Sequence, residues 1–226
     1  MTRIASTLED LQLEIAKSTE KSQNFRQKVR LVAVSKRQSV EKMVRLAQQG
    51  QRDFAENQLQ EALEKIPQLI DFKIKWHFIG AIQSRKCKAI AENFDWVQSV
   101  DRAKLIPKLA QARLGLKPLN VCIQLNLFNE SQKAGAGPEE VFELAELIEN
   151  EQNLALRGLM VLPPRQSEFT AQKRQFEEVY DFYRQLAEKY PNIDTISMGM
   201  SGDFAAAIAA GSTMVRVGTR LFGDRN

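Results

Sequence analysis

Residues 29–36 read Val-Arg-Leu-Val-Ala-Val-Ser-Lys, a run of β-branched and apolar side chains that stops at Lys36. The run does not alternate apolar with polar residues, which is typical of a strand buried on both faces, as in a parallel sheet. Before it, from Ile4 to about Phe25, apolar residues recur at helical spacing. We therefore expect a leading helix followed by the first strand of an α/β fold.

The same pattern, an apolar run followed by an amphipathic stretch, recurs along the chain. Eight apolar runs are present, at 29–35, 53–56, 75–79, 96–99, 119–126, 156–161, 195–198 and 214–218. Helical candidates separate them, at 40–49, 58–66, 85–93, 102–113, 138–150, 169–189 and 204–210. Eight such units in roughly 200 residues predict a (β/α)8 TIM-type barrel with an extra N-terminal helix. An open doubly wound sheet is the alternative, but the GxGxxG turn that would favour it is absent after the first run.

Composition and charge narrow the class of protein. The 32 Lys plus Arg residues exceed the 28 Asp plus Glu by four and are interleaved with them, which argues against a nucleic-acid partner. Two cysteines, Cys87 and Cys122, exclude a disulfide scaffold or a cysteine metal cluster and favour a reducing, cytoplasmic setting. We find no signal peptide, no apolar run near the ~20 residues of a membrane span, and no linker that divides residues 1–226. We therefore expect a cytoplasmic, single-domain protein.

Functional residues of such a barrel lie where the strands end, and Lys36 ends the most apolar run. Desolvation at that position would favour a neutral, nucleophilic amine, as Schiff-base chemistry requires. The alternative is an ordinary surface lysine whose ammonium reaches water. Asn57 and Met198 also follow strand ends and join the candidates.

Two glycine-containing turns near the C-terminus suit a phosphate. Ser201 is a plausible N-cap, and Gly199 and Gly202 let backbone N–H groups approach a ligand. Gly218 and Thr219 follow the last strand and could complete the same cradle, at the usual phosphate position of these barrels. Helix capping and a tight turn are the alternative reading.

Two further residues, His77 and Arg216, are inward candidates. His77 is the single histidine of the chain. It is about as consistent with a buried, hydrogen-bonded core residue as with a residue that contacts a ligand. Arg216 alternates with Val215 and Val217, so its side chain points away from theirs. An inward arginine requires an anion or another acceptor.

Seven motifs resemble, in order and spacing, the pyridoxal 5′-phosphate (PLP) homeostasis protein family. They are LVAVSK (31–36), FAEN (54–57), WHFIGAIQSRK (76–86), SVDR (99–102), RGLM (157–160), SMGMSGD (197–203) and GSTMVRVGTRLFG (211–223). The resemblance implies a barrel similar to that of alanine racemase, with PLP held as a Schiff base on Lys36. It also implies phosphate contacts from Ser201, Gly218 and Thr219, Arg216 beside the pyridine nitrogen and Asn57 near the cofactor. The predicted cofactor set is therefore Lys36, Asn57, His77, Met198, Ser201, Arg216, Gly218 and Thr219.

The resemblance also implies the function: a carrier that buffers PLP and delivers it to apo-enzymes, with little or no catalysis. It makes a monomer the default, with PLP, apo-PLP enzymes and amino acids as partners. The alternative is a racemase or decarboxylase of the same fold type, and a third hypothesis is a barrel for another phosphorylated metabolite. A two-base racemase needs an acid opposite the lysine, generally a tyrosine of an additional domain. The three tyrosines here, Tyr180, Tyr183 and Tyr190, fall in or just after one predicted outer helix, and only three residues follow Gly223.

The sequence departs from the family pattern at two positions. Ala55 stands where the family usually has Gly, which tightens the loop after the second strand. Arg85 stands where the family usually has Asn and adds a charge near the mouth.

Overall fold

The structure, a computed structural model, describes residues 3–22, 28–128 and 134–223. Within them, eight parallel strands form a closed barrel in sequence order, with the last strand paired to the first. The strands are β1 (Arg30–Val34), β2 (Asp53–Glu56), β3 (Lys75–Phe78), β4 (Trp96–Val100), β5 (Leu119–Leu125), β6 (Leu154–Val161), β7 (Thr195–Ser197) and β8 (Met214–Val217). The predicted TIM-type barrel is confirmed.

Helices follow the strands on the outside of the barrel. They are α1 (Arg3–Glu20), α2 (Val40–Gln48), α3 (Leu59–Lys65), α4 (Cys87–Asn93), α5 (Ile106–Ala112), α6 (Pro138–Glu149), α7 (Phe169–Lys189), α8 (Phe204–Ala209) and α9 (Thr219–Phe222). Short 3-10 segments span Pro67–Phe72, Ser84–Lys86 and Ala103–Leu105. None of the helices in the described ranges is both long enough and apolar enough to cross a bilayer.

The leading helix α1 is present and ends at Glu20, whereas its predicted end near Phe25 lies outside the described residues. Leu8, Leu11 and Ile15 recur every three or four residues and are all buried, so one stripe of α1 is packed. Glu14, on the exposed side, accepts two hydrogen bonds from Arg220 of α9, at 2.8 and 2.6 Å. The helix is thereby tied to the segment that follows the last strand.

The barrel has two separate apolar regions. The larger one lies between the strands and the helices, and the smaller one lies inside the barrel. The interior cluster consists of Val32, Ala55, Trp96, Cys122, Met160 and Met214. Three further interior side chains, Val34, Ile79 and Leu162, are only partly buried and lie at or just after the carboxyl ends of their strands. The interior is therefore packed below and open at the mouth, where the loops after the strands meet.

Candidate cofactor site

Four neighbouring strands carry seven of the eight predicted site residues to one arc of the barrel mouth. The closed strand order places β7, β8, β1 and β2 side by side. Met198 and Ser201 follow β7, Arg216 lies in β8 with Gly218 and Thr219 after it, Lys36 follows β1, and Asn57 follows β2. Because all these strands are parallel, their carboxyl ends lie at the same edge of the barrel.

Strands β8 and β1 come close together at the mouth. Ala33 pairs with Val217, and a Cβ added to Gly218 would lie 3.2 Å from the Val34 carbonyl oxygen. Gly218 therefore lies against the segment that leads into Lys36. On the other side of β1, the turn at Asn57 is packed closely as well, since a Cβ at Gly80 would lie 2.0 Å from the Asn57 carbonyl oxygen.

A buried ion-pair cluster lies behind the end of β1. The Lys65 ammonium donates to the Ser35 carbonyl oxygen and to Glu56 Oε1, both at 2.8 Å. It also donates to Glu61 Oε1 at 2.6 Å. Burial raises the pKa of Glu56 above its ordinary value, although hydrogen bonds from Lys65 and Ser35 oppose the shift. Through these hydrogen bonds, helix α3 is held against the ends of β1 and β2.

Lys36 itself is half-buried and lies between two anchored neighbours. The Ser35 N–H donates to the Ala55 carbonyl oxygen at 3.0 Å, and the Arg37 N–H donates to Glu61 Oε1 at 2.5 Å. Arg37 has a φ of 59°, a left-handed conformation that few non-glycine residues adopt. The backbone is thus fixed on both sides of the lysine.

Backbone N–H groups with no acceptor accumulate in the last two loops. In the part of the chain that the structure describes, the amides of Ser201, Gly202, Gly218 and Thr219 donate to no protein group. A Cβ added to Gly202 would meet no atom within 4 Å, so the space beside this loop is open. Such donors next to open space are what a phosphate requires.

The loop after β7 has a fixed shape. Asp203 Oδ1 accepts the Met200 N–H at 2.6 Å, and the Gly199 carbonyl oxygen accepts the Arg216 N–H at 3.0 Å. Gly199 has a φ of 96°, and a Cβ there would lie 2.6 Å from the Ala207 Cβ. Only glycine fits this position, and it brings the loop against β8 and the start of α8.

Arg216 is a buried cation at the mouth. Its Nη1 donates to the Ser197 carbonyl oxygen and to Ser197 Oγ, both at 2.7 Å, and its Nη2 donates to the Val161 carbonyl oxygen at 2.9 Å. Among the described residues, no carboxylate lies within 4.0 Å of the guanidinium. Burial lowers the pKa of Arg216 to about 10, and the nearby Asp203 opposes that shift, so the group stays charged at neutral pH. A buried charge without an ion pair fits a ligand that supplies an acceptor.

The structure does not bring His77 to the mouth with the other predicted residues. It precedes the last residue of β3, is fully buried, and has both ring nitrogens occupied. Nε2 lies 3.0 Å from Asp53 Oδ1, Nδ1 lies 2.9 Å from Gln98 Nε2, and the ring stacks on Trp96 at 5.3 Å. This geometry favours the interpretation of His77 as a buried core residue whose hydrogen bonds are all made. A direct contact between His77 and a cofactor stays a prediction.

Met198 is also fully buried, and its N–H donates to the Met214 carbonyl oxygen at 3.1 Å. It therefore lies beneath the loop rather than on its surface. Of the two departures from the family pattern, Ala55 belongs to the interior apolar cluster, and Arg85 is exposed with its Nε donating to Gln83 Oε1 at 3.3 Å.

Sequence reasoning missed two residues that contact the site from inside the barrel, Ser197 and Gln98. Ser197 accepts from Arg216, and its own hydroxyl donates to Gln98 Oε1 at 2.7 Å. The available signal was a polar residue within a buried strand, since Gln98 interrupts the run Trp96–Val100. Its partner Ser197 lies 99 residues further along the chain, so this contact could not be inferred from the sequence.

The residues at the mouth fit PLP. Lys36 has an amine of the kind that reacts with the cofactor's aldehyde, the unpaired amides are donors of the kind that a phosphate needs, and Arg216 is a cation that could face the pyridine nitrogen. No group of three or more His, Cys, Asp or Glu residues that could hold a metal ion exists in the described ranges. Lys36 and Arg216 are the two charged members of the candidate set that the structure carries to this arc.

Fold and site together define a barrel of the alanine racemase N-terminal domain class, whose family model matches residues 14–226. The chain is 44% identical, over 234 residues, to the pyridoxal phosphate homeostasis protein of Vibrio cholerae, covering 100% of this chain and 98% of the relative. This chain belongs to the family of pyridoxal phosphate homeostasis proteins. The resemblance seen in the motifs is confirmed.

Solved structures agree with this assignment. PipY of Synechococcus elongatus PCC7942, solved without PLP, superposes with a TM-score of 0.86 at 35% identity, covering 97% of this chain and 100% of PipY. The structure of PipY with PLP bound superposes with a TM-score of 0.84 at 32% identity over the same shares of the two chains.

Proposed function

We propose that this chain binds PLP as a Schiff base on Lys36 and acts as a carrier and buffer of the cofactor in the cytoplasm, with little or no catalysis. The barrel would serve as one binding unit, and as a monomer. The observation that carries the proposal is the arc formed by β7, β8, β1 and β2, whose neighbouring strands carry an anchored lysine, a buried arginine and unpaired amides at or near their carboxyl ends. PipY binds PLP on the same fold, and the relatives' shared name supports the homeostasis role.

Each residue of the arc has a separate task. Lys36 supplies the amine, and the anchored Ser35 and Arg37 fix its position. The amides of Ser201, Gly202, Gly218 and Thr219 take the phosphate, and Asn57 closes the arc beside β2. The two buried, unpaired cysteines support the cytoplasmic setting.

Arg216 supports a carrier rather than a strong catalyst. When bound, PLP supplies an electron sink for carbanion chemistry, and the sink is effective when its ring nitrogen is protonated. A guanidinium that stays charged at neutral pH disfavours a second proton beside it. The residue thus binds the ring while limiting its use in catalysis.

The tyrosines of the chain support the same choice against the racemase or decarboxylase alternative. Tyr183 in α7 donates to the Ile193 carbonyl oxygen at 3.3 Å, and Tyr190, just after α7, donates to the Phe142 carbonyl oxygen at 3.5 Å. Tyr180 also lies in α7, against the larger apolar region. None of the three belongs to the arc at the mouth, where a second base would have to face Lys36.

The test of cofactor binding is the visible absorbance of the purified protein with added PLP, before and after borohydride reduction. We expect a Schiff-base band that reduction converts to a stable product on Lys36, identified by peptide mass analysis. Lys36→Ala should lose the band, whereas Lys88→Ala, which removes a lysine with a side chain 80% exposed, should keep it. A band retained in Lys36→Ala would overturn the assignment of the lysine.

The test of the carrier role is release. Because Val34, Ile79 and Leu162 are partly exposed at the mouth, a small amine should reach the bound cofactor. We expect dialysis against such an amine to strip PLP, and an apo-PLP enzyme mixed with the loaded protein to regain activity. Complete resistance to both would contradict a carrier, and turnover of an amino acid at rates typical of PLP enzymes would favour the enzyme alternative.

A further inference from the structure

A continuous row of buried polar side chains runs through the barrel interior beneath Arg216. Arg216 Nη1 lies 2.7 Å from Ser197 Oγ, which lies 2.7 Å from Gln98 Oε1. Gln98 Nε2 lies 2.9 Å from His77 Nδ1, and His77 Nε2 lies 3.0 Å from Asp53 Oδ1. The row therefore crosses from β8 through β7, β4 and β3 to the first residue of β2.

Every hydrogen bond in the row points the same way. Arg216 can only donate, so Ser197 Oγ accepts from it and gives its own proton to Gln98 Oε1. The Gln98 amide then donates to Nδ1, which leaves the ring proton on Nε2, facing the Asp53 carboxylate. The opposite orientation of the Gln98 amide would place a proton on Nδ1 and turn an Nε2 lone pair towards that carboxylate. A cation at one end and an anion at the other thus fix the direction.

The surroundings of His77 keep the row in this state. Burial lowers the pKa of His77, and the positive charge of Arg30 lowers it further, while Asp53 and Asp95 act in the opposite direction. The ring is stacked on Trp96, and the guanidiniums of Arg30 and Arg157 lie 5.0 and 4.9 Å from that indole. A neutral imidazole with one defined tautomer follows.

We infer that Ser197, Gln98 and His77 are positioning residues for Arg216, which fix its guanidinium where the ring nitrogen of the cofactor binds. Their own hydrogen bonds, deep in the barrel, change when a ligand binds to that guanidinium. The inference rests on the proposed function, because it takes the ligand of Arg216 to be PLP. Neighbouring hydrogen bonds in a chain polarise one another, so a new acceptor at the guanidinium changes each link below it. His77 contacts no residue of the arc directly in the described structure and would sense the ligand only through this row.

The single histidine of the chain makes the inference measurable, because nitrogen NMR of the imidazole reports one residue only. In the ligand-free protein we expect the Nε2–H tautomer, with Nδ1 as the unprotonated acceptor. Saturation with PLP, followed by its absorbance band, should shift the Nδ1 resonance.

Ser197→Ala removes the hydroxyl that joins Arg216 to Gln98 and leaves the Ser197 carbonyl acceptor in place. We expect this variant to lose the PLP-induced shift of Nδ1, to bind PLP about threefold to tenfold more weakly, and to move the absorbance band. The matched control is Thr195→Val, two residues earlier on β7, whose hydroxyl is bonded to Asp194 outside the row. If Ser197→Ala does not fold, Gln98→Met breaks the next link and is judged by the same three readings.

For the PLP-loaded protein, two outcomes overturn the inference: a PLP-induced shift equally large in Ser197→Ala, or no shift in wild-type protein that shows the PLP band. Failure of the proposed function is recognised separately, by the absence of the band in the wild type. The row is then judged on ligand-free protein, where Ser197→Ala must shift the Nδ1 resonance and Thr195→Val must not. An unchanged resonance in Ser197→Ala would also overturn it.

Discussion

At the scale of single residues, the two charged side chains of the proposed site differ in how they are held. Lys36 is positioned through the backbone of its neighbours, which Lys65 and Glu61 hold. Arg216 is positioned through its own guanidinium, by acceptors on β6 and β7. Changes in helix α3 should therefore act on the amine, and changes in the barrel interior should act on the ring-nitrogen end.

His77 should make the stability of the protein depend on pH. Because burial lowers its pKa in the folded chain, the unfolded chain takes up the proton first as the pH falls. The stabilisation is complete above the unfolded pKa, near 6.5, and is lost as the pH falls below that value. Urea unfolding between pH 7.5 and 5.5 should show this loss, with a slope of at most about 1.4 kcal/mol per pH unit from this group.

The control for this pH dependence is His77→Asn, which keeps an acceptor towards Gln98 and has no ionisable ring. Its free energy of unfolding should vary less over the same pH range. Equal slopes for the two proteins would show that other groups cause the dependence.

The positions of Lys36 and Arg216 were predictable from the strands, because a lysine that follows a buried run and an arginine between two valines that share the opposite face are both visible in the sequence. Ser197 and Gln98 were not predictable. Their role depends on each other across the barrel, and no local pattern encodes that contact. His77 was conspicuous, yet its position one layer below the mouth follows from the partners Asp53 and Gln98.

At the scale of elements, the apolar runs predicted all eight strands to within about two residues at either end, because a strand buried on both faces leaves an uninterrupted signal. The 3-10 segment Pro67–Phe72 and the four-residue helix Thr219–Phe222 were not predicted. Both are too short for a helical period to emerge. Helix α4 begins at Cys87 rather than Arg85, since Ser84–Lys86 forms a 3-10 turn first.

The loop between β7 and α8 should respond very differently to two glycine substitutions. Gly199→Ala puts a methyl group 2.6 Å from the Ala207 Cβ at a φ of 96°, so we expect destabilisation by about 1–3 kcal/mol and weaker PLP binding. Gly202→Ala, three residues further, meets nothing within 4 Å and should change the free energy of unfolding by less than about 0.5 kcal/mol. Thermal unfolding and PLP titration of both variants measure these effects, and similar losses in the two would contradict the loop geometry.

Helix α3 should depend strongly on its buried ion pair. Lys65→Met would leave the Glu56 carboxylate, which is completely buried, without its cation, so we expect a loss of about 3–5 kcal/mol. Adding Glu56→Gln removes the uncompensated charge and should recover part of that loss. Denaturant unfolding of the single and double variants tests this, and an additive double variant would show that the two groups are not coupled.

At the scale of the whole molecule, one closed sheet separates the apolar region under the helices from an interior that holds both a smaller apolar cluster and the polar row. The fold could be predicted because eight repeats of one pattern leave few topologies open. The course of the interior row could not, since it depends on the stagger of non-adjacent strands. The leading helix is an addition to the barrel, and its contribution can be measured separately.

Packing should outweigh charge where α1 meets the barrel. Leu11→Ala removes a buried side chain and should cost about 2–5 kcal/mol. Glu14→Gln weakens a half-exposed pair with Arg220, whose hydrogen bond lowers the pKa of Glu14, and should cost less than about 1 kcal/mol because water screens the pair. Equilibrium unfolding of both variants measures the two losses of stability. A larger loss for Glu14→Gln than for Leu11→Ala would contradict the prediction that packing dominates.

The polar row inside the barrel also bears on any effort to make this protein more heat-resistant. Replacing all members of a buried polar cluster together by well-packed apolar residues is often neutral or stabilising, so a library of combined substitutions screened for thermal tolerance alone would select changes at Asp53, His77 and Gln98. These positions look like framework, since they lie away from the mouth. If the row positions Arg216 as inferred, the more heat-resistant variants from such a screen would bind the cofactor more weakly. Thermal tolerance and cofactor retention would then have to be selected together.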